Sequence, residues 1–203
     1  GKGFYRILLR TQVGMEDQYF ESIRKQFAYY KLLGERAMNQ VGEPHLFEAP
    51  SPESNSLAVM VKHLWGNMLS RWTDFLTTDG EKSWRNRDAE FEADIETADE
   101  LWDKWEAGWK VLFEAVQPLT HEDRDRIIYI RNQGHTVTEA INRQLAHYAY
   151  HVGQIVFLAR MLAGEKWHSL SIPKGQSSAY NQQKFSKPKE KGHFTDEFLE
   201  KDE

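Results

Sequence analysis

The stretch TVTEAINRQLAHYAYHVGQIVFLARMLAG, residues 136–164, decides the fold. Thr136-Val137-Thr138-Glu139 reads as a capping box, in which the threonine and the glutamate each satisfy a backbone donor that the first helical turn leaves without a partner. Gly164 is well placed as the C-terminal stop. On a wheel of roughly 100° per residue, nearly every direction between those signals is apolar or aromatic. Ile141, Leu145, Val152, Ile155 and Val156 lie on one side, and Ala146, Tyr150 and Phe157 on the other. A helix that is apolar nearly all round is a buried one. It is expected inside a bundle, or between the bundle and a second subunit.

Working outward, three more helices are expected. The first, about Met15 to Val41, carries Phe20, Ile23, Phe27, Tyr30, Ala37 and Val41 at three- and four-residue steps, and Gly42-Glu43-Pro44 ends it. The second, about Leu57 to Leu76, is capped by Ser54 or Ser56 and stopped by Thr78-Asp79-Gly80. The third is expected from about Asp88 to Gln117, with Phe91, Ile95, Ala98, Trp102, Trp105, Trp109, Leu112, Phe113 and Val116 as its stripe and Pro118 as its end. Residues 81–87 read as a connection. Ile127 to Ile130 have strand character, and Gly134 is expected to turn the chain toward the fourth helix. Beyond Trp167 the periodicity is lost. Residues 171–191 read as an extended or mobile tail, with a helical turn possible at Phe194 to Leu199. The pattern is all-α: a four-helix bundle over residues 15–168, an irregular C-terminal tail over 169–203, and a leader or vector-derived segment at 1–14.

Composition excludes several function classes. The 203 residues include no cysteine, which removes disulfide scaffolds, zinc fingers, iron–sulfur clusters and a cysteine nucleophile. A reducing cytoplasm permits that composition, and a cytoplasmic location is expected. The formal charge of −5 disfavours binding driven by phosphate neutralisation, so no nucleic-acid partner is expected. No apolar run approaches the ~20 residues of a membrane span.

The chemistry concentrates on histidines. His147 and His151 stand four apart in the buried helix, about 40° apart on the wheel, close enough to share an ion. His63 lies mid-way along the second helix; if the two helices are neighbours, the three rings converge. Three neutral imidazoles leave a fourth position open for water. The bland reading is a set of hydrogen-bonded core histidines. Against it stands the cost of uncoordinated polar rings in an apolar helix, and Gln144 and Gln154 lie on nearly the same face. A metalloprotease pattern is missing, since Tyr148-Ala149-Tyr150 separate the pair where an adjacent glutamate is needed. A di-iron pattern fails as well: its single match, Glu165-Lys166-Trp167-His168, lies past the terminal glycine. His45, His121, His135, His168 and His193 fall in loops, helix ends or the tail, and read as surface residues.

Two segments, Val61-Lys62-His63-Leu64-Trp65-Gly66-Asn67-Met68 and Gln144 to Ile155, resemble the DinB-like superfamily, the DinB/YfiT-like putative metal-dependent hydrolases. Leu69 to Lys82 and Ser171 to Gln176 add to the likeness, which runs from about Met15 to Tyr180 and is closest to a branch of unknown function. The resemblance implies a four-helix bundle whose metal triad falls on His63, His147 and His151. It also implies nickel, zinc or a similar divalent ion, and frequent homodimers; some relatives are thiol S-transferases.

Three functions fit. The first is a hydrolase-like metal enzyme acting on an unidentified small molecule, with Asn67, Gln144 and Gln154 orienting ligands or substrate and Trp65 and Tyr148 lining the pocket; ordinary hydrogen bonding and core packing are the plainer roles for these five. The second is thiol transfer at the same metal, with the thiol supplied by a small molecule. The third is a non-enzymatic metal-binding or stress-response bundle, which a fourth protein ligand would favour.

Overall fold

A computed structural model describes residues 17–200. The expected leader segment at 1–14 lies outside the described residues. The fold is all-α, with four long helices. Helix α1 spans Gln18–Met38, α2 Leu57–Trp72, α3 Ala98–Val116 and α4 Val137–Ala163.

Each helix starts on a side-chain cap. Asp17 Oδ1 accepts from the Tyr19 amide at 2.9 Å and Ser56 Oγ from Val59 at 3.2 Å. Thr97 Oγ1 accepts from Glu100 at 3.2 Å. The capping box that opens α4 is reciprocal: Thr136 Oγ1 accepts from the Glu139 amide at 3.1 Å, and Glu139 accepts from the Thr136 amide at 2.9 Å. Gly164, at φ +55°, ends that helix in the left-handed region that a side chain rarely adopts.

Helix α2 packs on α3 and α1 on α4, while α2 and α4 also meet and bring the histidine segments together. The seam holds large, fully buried side chains, among them Phe20, Phe27, Trp105, Trp109 and Tyr148. Burying rings of this size is the main driving force that fixes the helices to one another.

Four expectations change. The third helix begins at Ala98, not at Asp88; Thr97 caps it, and residues 88–91 form a separate 3-10 turn. The second stops at Trp72, with Thr73 already extended. The strand-like residues form a hairpin, β1 (Ile127–Ile130) pairing antiparallel with β2 (Gln133–Thr136), and its turn is at Arg131-Asn132 rather than Gly134. Both turn residues have positive φ, as a two-residue hairpin loop requires, and Asp79 holds them by accepting from both amides at 2.8 Å. The segment expected to be extended contains a helix, α5 (Ser177–Phe185). A last short helix, α6 (Asp196–Leu199), sits within the span where a helical turn is expected. It folds back on α1: the Tyr29 ring meets Phe194 at 5.6 Å and Phe198 at 5.2 Å, and Lys25 pairs with Asp196 at 2.9 Å.

The described residues enclose helix α4 on one side. Ile141, Tyr148, Val152, Ile155 and Ala159 are buried, but Tyr150, Phe157 and Met161 form an exposed apolar stripe on the opposite side. Among the described residues, no helix is long and apolar enough to cross a membrane.

Candidate metal centre

Helix α2 supplies His63, and α4 supplies His147 and His151 one turn apart. One ring nitrogen from each lies within 4.8 Å of the others. The rings meet edge to face: His147 and His151 have centroids 4.6 Å apart, and His63 stands 4.8 Å from His151 and 5.5 Å from His147. His63 is buried and the other two are half-buried, so the cluster sits at the edge of the core.

Hydrogen bonds sort the nitrogens. His63 Nδ1 faces Glu90 Oε2 at 2.8 Å, and His151 Nδ1 faces Gln154 Oε1 at 2.9 Å. Both acceptors call for a proton on Nδ1 and leave Nε2 bare. His147 Nε2 is buried and has no hydrogen-bond partner among the described residues. An orphaned buried imidazole nitrogen is costly unless something occupies its lone pair. Burial, followed by the neighbouring His151 and His63, pushes His147 down to about 3. Burial and His63 push His151 down to about 4, against the pull of its Gln154 bond. Both rings are therefore neutral near pH 7, the state a metal ligand requires. Three imidazole nitrogens at one edge of the core, one of them orphaned among the described residues, fit a divalent transition ion. Among the described residues no fourth histidine, aspartate or glutamate joins the group.

The family model described as "Protein of unknown function (DUF1572)" matches residues 14–176. The chain belongs to that family. No curated protein and no solved structure matches it.

Around the three histidines, the residues of this DUF1572 chain fall into distinct sets. Gln154 bonds His151 directly. Asn67, Gln144 and Tyr148 are brought together but bond one another: Gln144 Nε2 donates to Asn67 Oδ1 at 2.7 Å and to the Tyr148 hydroxyl at 3.0 Å, and that hydroxyl donates to Asn67 Oδ1 at 2.9 Å. Trp72 Nε1 donates to the same hydroxyl at 2.9 Å. Tyr148 is fully buried, and burial raises its hydroxyl well above the ordinary phenol range. This closed network is a polar brace beneath the histidines. Trp65 is not brought to the cluster; Lys104 Nζ lies 4.1 Å from its ring.

Two of the remaining histidines are more enclosed than their loop positions imply. His135 is half-buried with an Nε2 that has no partner among the described residues, and His193 bonds Ser22 Oγ at 2.9 Å where the tail returns to α1. His45, His121 and His168 are exposed.

Sequence reasoning passes over Glu90 entirely. Its carboxylate is buried beside His63, and Arg85 grips it twice, Nε to Oε1 at 2.7 Å and Nη2 to Oε2 at 3.0 Å. Burial pushes Glu90 upward, but the His63 bond and the Arg85 guanidinium outweigh it and hold the carboxyl below its usual range.

Proposed function

We propose that this chain is a metal-dependent enzyme of the hydrolase-like kind, with a divalent ion, nickel or zinc, on His63, His147 and His151. The observation that carries the reading is the orphaned Nε2 of His147, buried within a group of three imidazoles that has no fourth ligand among the described residues. A structural site normally has four protein ligands, so three favour a centre with a position left for water or substrate. The resemblance of both histidine segments to the DinB/YfiT-like superfamily supports the same reading.

The ion would supply Lewis acidity toward a carbonyl or phosphoryl oxygen or an attacking water. The chain's own residues do the rest. Gln154 orients His151, Glu90 orients His63, and the Asn67–Gln144–Tyr148 network keeps α2 and α4 in register beneath them. Core packing on one side shields the three rings from bulk water, which strengthens their interaction with any charge placed between them.

We also propose that the exposed stripe of Tyr150, Phe157 and Met161 serves a homodimer, which would bury the open face of α4.

Elemental analysis of tag-free protein tests the metal reading. One equivalent of a transition metal is expected in the wild type and none in His147→Ala. No metal in either, after reloading with nickel and zinc, would return the three histidines to the core. Because the sequence has no cysteine, thiol transfer would need a small-molecule thiol. A cobalt spectrum altered by low-molecular-weight thiols would turn the assignment toward that reaction.

A further inference from the structure

His63 differs from its two partners in what stands behind it. His147 Nε2 has no partner among the described residues, and His151 leans on the neutral amide of Gln154. His63 leans on an ionised carboxylate, and both side chains are about 5% exposed. Burying a carboxylate costs several kcal/mol, roughly, and pairing recovers that only when the geometry is good. Arg85, itself 3% exposed, provides the pairing through two parallel bonds to Glu90. It also donates to Glu81 at 3.1 Å, and Arg71 of α2 donates to the same Glu81 oxygen at 2.9 Å. The loop carrying Glu90 is thus rooted in the helix that carries His63.

An apolar pair would fill this volume with less desolvation cost. What the charged pair adds is direction. Glu90 Oε2 accepts only if the His63 proton is on Nδ1, and its grip fixes the ring plane. Phe91 stacks on that ring at 4.8 Å, with the planes 27° apart, and limits its rotation. Gly66, one turn along α2, opens the space: a Cβ there would sit 2.4 Å from Glu90 Oε1.

We propose that Glu90, clamped by Arg85, is the positioning residue of the metal centre, holding His63 in the Nδ1–H tautomer with Nε2 committed to the ion. The role rests on the metal reading above. His63 is held by a charged acceptor, where His151 is held by a neutral one. A hydrogen-bonded carboxylate behind a ligating imidazole also raises the ring's basicity and strengthens its bond to the metal.

The test uses full-length protein with zinc as the only probe. The variants are Glu90→Gln, which keeps an acceptor, and Arg85→Met combined with Glu90→Met, which removes both charges and conserves volume. Should the first fail to fold by circular dichroism, the second carries the test. Imidazole 15N spectra of the metal-free protein, with His63 assigned through His63→Gln, report the tautomer. Wild type should show Nδ1–H, and the double variant should lose that preference. Zinc affinity, from competition with a chromophoric chelator, should fall about 10- to 100-fold in the double variant and less in Glu90→Gln. If wild type binds zinc and the double variant keeps both its affinity and its tautomer, the positioning role is overturned and the metal site stands. If wild type binds no zinc, both are overturned.

Discussion

Gly66 and Glu90 cannot both keep their places if Gly66 gains a side chain, because the added Cβ would approach Glu90 Oε1 to 2.4 Å. A long exposed glutamate would swing away at little cost. Glu90 is buried and clamped by Arg85, so it has nowhere to go. Gly66→Ala is therefore expected to destabilise the fold by about 1–3 kcal/mol, the usual range for overpacking. Urea denaturation measures it, and a midpoint equal to wild type would mean that Glu90 retreats freely.

The histidines give the metal-free protein a definite pH response. An unfolded chain takes up protons near 6.5 at His147 and His151, whereas the folded chain resists to about 3 and about 4. Between those values the unfolded state binds more protons, so stability is complete above about 6.5 and declines as pH falls through about 4 and 3. Glu90 adds to the decline lower down: its folded-state value lies below 4.5, so its contribution is present above 4.5 and lost as pH falls through that lower value. Urea midpoints measured from neutral pH to pH 4 should drop, and His147→Gln should flatten the slope. An unchanged slope in that variant would remove His147 as a source.

Tyr148→Phe should separate stability from metal binding. The change leaves the Trp72 indole N–H buried without its acceptor and takes one donor from Asn67. One such unsatisfied group costs about 1–3 kcal/mol. None of these bonds reaches a histidine, so zinc content should stay at the wild-type level while the denaturation midpoint falls. Loss of zinc in a folded variant would show that the network supports the ligands directly.

Phe157→Glu addresses the open face of α4. Phe157 is 67% exposed and Tyr150 64%, so a charge at 157 is harmless to a lone chain and costly in an apolar interface. Sedimentation velocity should find a dimer for wild type and a monomer for the variant. A monomeric wild type would sink the dimer proposal.

Much of this architecture is legible in the sequence because it is written locally. The Thr136–Glu139 box and Gly164 mark both ends of α4, and the four-residue step between His147 and His151 places two rings on one face with no tertiary knowledge. Bringing His63 to them needs only that α2 and α4 meet. The start of α3 was also written: Thr97 with Glu100 three residues on is a capping signal, but the apolar positions Phe91 and Ile95 fit a helical period and mask it. Glu90 is different in kind. It lies 27 residues from His63 and reads as one acid among many in the first half of the expected third helix. Its role comes from a connection folding back on α2, and no local rule encodes that meeting. Trp65 shows the converse: two residues from His63 in sequence, it faces Lys104 because successive helical positions point apart.

The long connection between α2 and α3 divides labour in the centre. The three rings stand on helices that the core holds, so their spacing is tied to the stability of the whole molecule. Arg85 and Glu90 arrive on the connection between α2 and α3, a stretch that carries none of the three histidines. Grip and temperament are thus inherited from different parts of the molecule. A lineage could retune the electron richness of one imidazole by redrafting a loop, while the scaffold that carries the three histidines stays as it is.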